Sequence, residues 1–301
     1  MKKGHITELL NIKATSHRDL DFIDINPNKD LKLFIDPCLI ETQKDEFSIV
    51  CQEVIQDYFN SLCKEYSKSK HGGYIVEHLG ERNEARLGYG NGKNGKAKTA
   101  DGMDKTLSGL HNLLQYGVPM CGIIDVSLMM KKFAEDCMSD MLLNVLYKQF
   151  SEFTISQCKK YNIQTSQISC LRFYWDHTTH SWQEYKGQVL LIDDKPILLI
   201  PKKYICKRYY YSTEQYFMTK IATTLQNERT ISINGKDSKP NKNNIRKDEI
   251  TKMGSLIEAA RWYTIQKPFL LEEYHKNMHK AYCNRVMKDN ELDKYVYNKQ
   301  K

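Results

Sequence analysis

"SCLRFYWDHTTHSWQEYKGQVLLIDDKPILLIPK", Ser169 to Lys202, is the stretch that decides the fold class. SCLRFYWD, QVLLID and KPILLIPK are short runs rich in aliphatic, β-branched and aromatic residues, and they read as three strands. IDDKP is a compact turn between the last two, so these two pair as a hairpin. Strands grouped in this way, without regular β-α-β alternation, argue for an α+β protein rather than a doubly wound sheet.

Upstream lies a strongly amphipathic helix. Phe47, Val50, Cys51, Val54, Ile55, Tyr58, Phe59 and Leu62 recur at three- and four-residue spacing and share one face, and SKSKHGG ends the run. A long helix is expected from Asp136 to Asn162, striped by Met141, Leu142, Val145, Leu146, Phe150 and Phe153. STEQYFMTKIATTLQNE opens with Ser, Thr and an early Glu, a helix start. DFIDI (Asp21–Ile25) and KLFIDP (Lys32–Pro37), separated by NPNKD, suggest a hairpin. Tyr74–Leu79 reads as a strand, Lys105–Gln115 as a helix, and MCGIIDVSLMM (Met120–Met130) as a buried strand. NGKDSKPNKNN, Asn234 to Asn244, reads as a basic linker or mobile loop. The expected architecture is an α+β core over residues 1–233, with small groups of mainly antiparallel strands packed with long amphipathic helices. A helical segment over 245–301 then packs on that core.

The 301 residues carry 45 Lys and Arg against 37 Asp and Glu, a net charge of +8. That excess favours a polyanionic partner such as nucleic acid, although a generally basic surface gives the same balance. No apolar run approaches the roughly 18 residues of a membrane span, and MKKGHITELLNIKAT has no apolar secretory segment. The nine cysteines are scattered without a C-x-x-C pair and read as reduced thiols. The expectation is a cytoplasmic protein without membrane association.

Several constellations could carry chemistry. In ARLGYGNGKNGKAKTADGMD (Ala85–Asp104), Gly90, Gly92 and Gly95 satisfy G-x-G-x-x-G. Ala97 stands where a phosphate-binding loop needs a hydroxyl, and KTADG should break a helix before it starts, so no nucleotide cofactor is expected. Lys93, Lys96 and Lys98 suit contact with nucleic-acid phosphate, or simply a flexible basic loop. PKKYICKRYYYS sets Lys202, Lys203, Lys207 and Arg208 beside Tyr204, Tyr209, Tyr210 and Tyr211, combining cations with stacking rings. Tyrosines packed against a core with their hydroxyls outward account for it equally well.

Asp176 on one strand and Glu184-x-Lys186 on the next match a metal-dependent nuclease arrangement, or an exposed polar hairpin; His177 and His180 read as surface residues. Asp136 and Asp140, four apart beside Glu135, could hold a divalent ion, or be ordinary acids near a helix N-terminus. His275 and His279 read as a solvated helix face.

LFIDP (Leu33–Pro37), NEARLGYG (Asn83–Gly90), EDCMSDM (Glu135–Met141) and ILLIPK (Ile197–Lys202) occur in this order. Together they resemble a poorly characterised family of bacterial proteins associated with anti-phage defence islands. The family pattern has Thr where this chain has Ala85, Ser at Gly90 and Arg at Cys137. The matching acids are Asp36, Glu84, Asp136 and Asp140, and the resemblance implies that these are the site residues. The function expected is a defence protein acting on or bound to nucleic acid, as a nuclease using Mg2+ or Mn2+ held by Asp136 and Asp140. The alternative is a non-catalytic subunit that docks to other defence-system proteins.

Overall fold

In the computed structural model, which describes residues 4–89, 99–233 and 236–297, helix outweighs strand at 53% to 11%, and the class is α+β. The helices are α1 (Ile6–Leu9), α2 (Pro37–Glu41), α3 (Glu46–Lys68), α4 (Ala100–Leu107), α5 (Gly109–Gln115), α6 (Ile124–Met129) and α7 (Glu135–Val145). They continue with α8 (Tyr147–Lys160), α9 (Thr213–Tyr216), α10 (Ala222–Glu228), α11 (Lys242–Met253), α12 (Leu256–Gln266), α13 (Phe269–Tyr282) and α14 (Asp289–Val296). The strands are β1 (Phe34–Ile35), β2 (Ser166–Gln167), β3 (Phe173–Asp176), β4 (Ser181–Glu184), β5 (Gln188–Ile192), β6 (Lys195–Ile197), β7 (Ile205–Cys206), β8 (Ile231–Ile233) and β9 (Lys236–Ser238). They form small antiparallel sheets ordered β1-β7, β2-β5-β6, β3-β4 and β8-β9.

Where local signals were strong, the chain follows them. Asp45 caps α3 by accepting from the Ser48 N–H at 3.2 Å, and the helix buries Cys51, Val54, Tyr58 and Leu62. Each such burial is worth roughly 1.5–3 kcal/mol. The β5-β6 hairpin turns at Asp193 and Asp194, with φ of 49° and 61°, the left-handed pair that a two-residue turn needs.

The first expected hairpin does not form. Phe22, Ile23, Leu33, Phe34 and Ile35 are all fully buried, and a lone two-stranded ribbon cannot cover both of its faces. The chain closes a tight turn of its own between Asn26 and Lys29. The first run then bridges Phe22 to Pro201, while β1 pairs with β7. Tyr74–Leu79 is not a strand either: Gly73, at φ +52°, starts a single 3-10 turn over Gly73–Val76. Met120–Met130 holds the helix α6 in place of a strand. The Asp125 carboxylate accepts the N–H groups of Cys121 (2.7 Å) and Gly122 (3.2 Å), folding the chain just ahead of and into the first turn.

The long helix expected over 136–162 is broken at Leu146 into α7 and α8. KTADG does not break a helix: the Thr99 hydroxyl accepts from the Gly102 N–H at 3.2 Å and caps α4, which runs through Asp101 and Gly102. Among its described residues, the stretch 234–244 contributes β9 and the start of α11. The C-terminal helices lie against the rest, with α12 on α6, α13 on α2 and α14 on the 3-10 turn His17–Asp19.

Candidate functional site

The four short motifs meet in the core. The Ile35 N–H donates to Ser139 Oγ at 3.1 Å, joining LFIDP to EDCMSDM. The Leu198 N–H donates to the Glu84 carbonyl at 3.0 Å, joining ILLIPK to NEAR. Phe34 and Tyr89 pack with ring centroids 5.0 Å apart. Gly88 has φ +123°, and a Cβ there would lie 2.5 Å from Asp136 Oδ1, so both the backbone and the neighbouring carboxylate require glycine.

The acids of these motifs separate in their roles. Glu84 is buried and paired with Arg172 Nε at 2.6 Å. Asp136 lies against Gly88, and its charge adds to burial in raising the carboxyl pKa of Glu81 above its ordinary value. Asp140 sits one turn further along α7, where its carbonyl accepts from Asn144 Nδ2 at 2.7 Å. Among the described residues, no three of Asp36, Glu84, Asp136 and Asp140 bring ligand oxygens within 4.8 Å of one another; the group that does so is Cys121, Asp125 and His275. A divalent ion held by Asp136 and Asp140 together with water would need only these two carboxylates.

Asp36 has a different setting. It caps α2, accepting from the Cys38 N–H at 2.9 Å, and is almost wholly buried. Burial pushes its carboxyl up to about 7, against the hydrogen bonds it receives from the Cys38 N–H, Tyr282 and Cys206. It lies in the wall of a cleft of about 1030 Å³, shared with Glu135, Cys206, Tyr210 and Tyr282. Arg208, Arg285 and Lys288 line the same cleft and are exposed. None of the three has an ion-pair partner among the described residues. Arg285 stacks over the Tyr210 ring, 3.6 Å from its centroid.

The other expected cations are engaged internally. Lys202 is tied to Asp289 (2.6 Å) and to the His17 carbonyl, and Lys203 to Asp45. Lys207 pairs with Glu291 at 2.6 Å on the cleft rim. Lys93, Lys96 and Lys98 lie outside the described residues. The tyrosines mostly serve the core: Tyr204 bonds Ser48 Oγ at 2.6 Å, and Tyr209 donates to the Ile35 carbonyl at 2.6 Å. Tyr210 alone turns its ring to the cleft cations.

Asp176 and Glu184 do not converge. Asp176 pairs with Ser181 and Glu184 with Phe173, so they stand three ladder positions apart, about 10 Å along the strands and on opposite faces. His180 bonds Asp57 at 2.7 Å on the surface. His275 departs from the solvated face expected for it: Nε2 lies 2.8 Å from Asp125 Oδ1 and 2.7 Å from the Tyr211 hydroxyl. Burial opposes its charge, but the bond to Asp125 and that carboxylate's charge hold its pKa above the ordinary value. Arg285 and the Asp125–His275 pair gave no signal in the sequence, because their partners lie 75 and 150 residues away and at no motif spacing.

The model of one family, a domain of unknown function (DUF8370), matches residues 11–212, about two thirds of the chain, and the chain belongs to that family. Comparison with curated proteins gives no match, and comparison with solved structures gives none. The matched stretch contains Asp36 and Arg208; Tyr282 and Arg285 lie beyond it. No helix among the described residues is long and apolar enough to cross a membrane, and all nine cysteines are free.

Proposed function

We propose that this protein binds nucleic acid in the cleft beside Asp36, as part of anti-phage defence. The supporting observation is the pairing of Arg285 with Tyr210, beside the unpaired Arg208. Guanidinium groups free of carboxylate partners are available to phosphate, and a ring already stacked on one of them offers a platform for a base. The resemblance of the motifs to defence-island proteins supports the biological setting.

Asp36 adds a catalytic reading. A carboxyl held near neutrality beside a phosphodiester in the cleft is suited to giving or taking a proton there, and this supports a nuclease as the proposed activity. The test is a titration of labelled single- and double-stranded DNA and RNA, with magnesium, manganese or a chelator, on the native chain, Arg208→Ala/Arg285→Ala and Asp36→Asn. Expected are salt-sensitive binding weakened in the arginine variant, and cleavage lost in Asp36→Asn. Absence of binding to every nucleic acid at low salt would overturn the reading; binding without cleavage would retain it and remove the nuclease.

A further inference from the structure

Cys121, Asp125 and His275 come from two parts of the chain, the approach to α6 and the middle of α13, yet each offers a ligand atom within 4.8 Å of the other two. Cys121 and His275 border a cavity of about 210 Å³, shared with Cys38 and Glu41, and Asp125 is fully buried beside them. We propose that these three side chains bind a single borderline-soft divalent cation, zinc by preference, with a fourth position open to the cavity.

The donor set fits that ion. Thiolate, imidazole and carboxylate together are zinc ligands, and three protein ligands plus one open position describe its catalytic sites. Metal–ligand bonds of about 2.0–2.3 Å put tetrahedral ligand atoms roughly 3.3–3.8 Å apart, so the 2.8 Å contact between His275 and Asp125 needs only to open slightly. The support behind Asp125 is already in place: the Tyr211 hydroxyl and the N–H groups of Cys121 and Gly122 all donate to it. Such outer bonds orient a ligating carboxylate. Entry of the cation releases the Cys121 thiol proton and the His275 Nε2 proton to solvent, and the imidazole keeps its proton on Nδ1.

A Cys–His nucleophile is the competing use of the same residues, and the geometry disfavours it. Cys121 Sγ donates to the Pro119 carbonyl at 3.3 Å rather than to the imidazole, and His275 spends Nε2 on Asp125 and Tyr211.

The proposal does not depend on the nucleic-acid reading. Its test is titration of the full chain with Co2+, followed by displacement with Zn2+, comparing the native chain with Cys121→Ser and His275→Gln. Circular dichroism checks that each variant folds; Cys121 is exposed, and Gln keeps a donor toward Asp125. Expected is one equivalent with intense tetrahedral cobalt bands and a thiolate charge-transfer band. Cys121→Ser should lose that band, and both variants should bind more than about tenfold more weakly, the scale at which even outer partners of a bound metal are felt. No charge-transfer band in the native chain, or the same band and affinity in a folded Cys121→Ser, would overturn the site.

Discussion

Tyr211 donates its backbone N–H to the hydroxyl oxygen of Tyr282 at 2.9 Å, and this bond joins the cleft to the cavity. Tyr282 lines the cleft with Asp36, while the Tyr211 hydroxyl reaches Asp125 at 2.7 Å. Replacing Tyr282 with Phe strands the buried N–H of Tyr211. The expected cost is about 1–3 kcal/mol, read from the shift in the urea midpoint at constant slope.

Asp36 makes stability depend on pH. Its folded pKa, about 7, stands above the unfolded value of 3.8, so the folded chain keeps a proton that the unfolded chain has released. Stability therefore falls as pH rises from about 4 to about 7, by on the order of 4 kcal/mol at most, and levels off above. Asp36→Asn keeps the cap and lacks the titration. Urea unfolding near the two ends of that window should find the variant gaining on the native chain as pH rises; a gap that does not change with pH would contradict it.

Gly88→Ala should destabilise more than Gly117→Ala. Both glycines have positive φ, but a methyl group meets the Asp136 carboxylate at Gly88 and nothing within 4 Å at Gly117. Strain of roughly 1–3 kcal/mol at Gly88 should lower its melting temperature clearly further than that of Gly117→Ala, in side-by-side thermal melts.

Cations that look alike in sequence should behave differently. Arg208→Ala/Arg285→Ala should lower the salt dependence of binding by about 0.7–0.9 per lost phosphate contact, with little change in stability. Lys202→Ala should do the reverse, because Lys202 joins Asp289 to the His17 carbonyl. Parallel binding and unfolding curves for the two variants separate the roles.

Elements written in consecutive residues were readable: the stripe of α3 and the IDDKP turn each carry their own geometry. Elements set by distant partners were not. Met120–Met130 is mostly apolar, so its composition fits a buried strand or a buried helix, and the Asp125 carboxylate tips it to helix. The strands of 21–37 are drawn apart by Pro201 and Cys206. The site followed the same division. Asp36 and Arg208 were visible through motif and charge, whereas His275 was read against His279, its neighbour in sequence, and not against Asp125, its neighbour in space.

The cleft has two origins. Asp36, Cys206 and Arg208 fall inside the stretch shared with the family; Tyr282, Arg285 and Lys288 fall outside it. On the proposed reading, change at Arg285 or Lys288 would alter which ligand is admitted while Asp36 keeps its depth and its proton. If the proposed function holds, selectivity and reactivity would be written in separate parts of the chain, and one could drift while the other is held fixed.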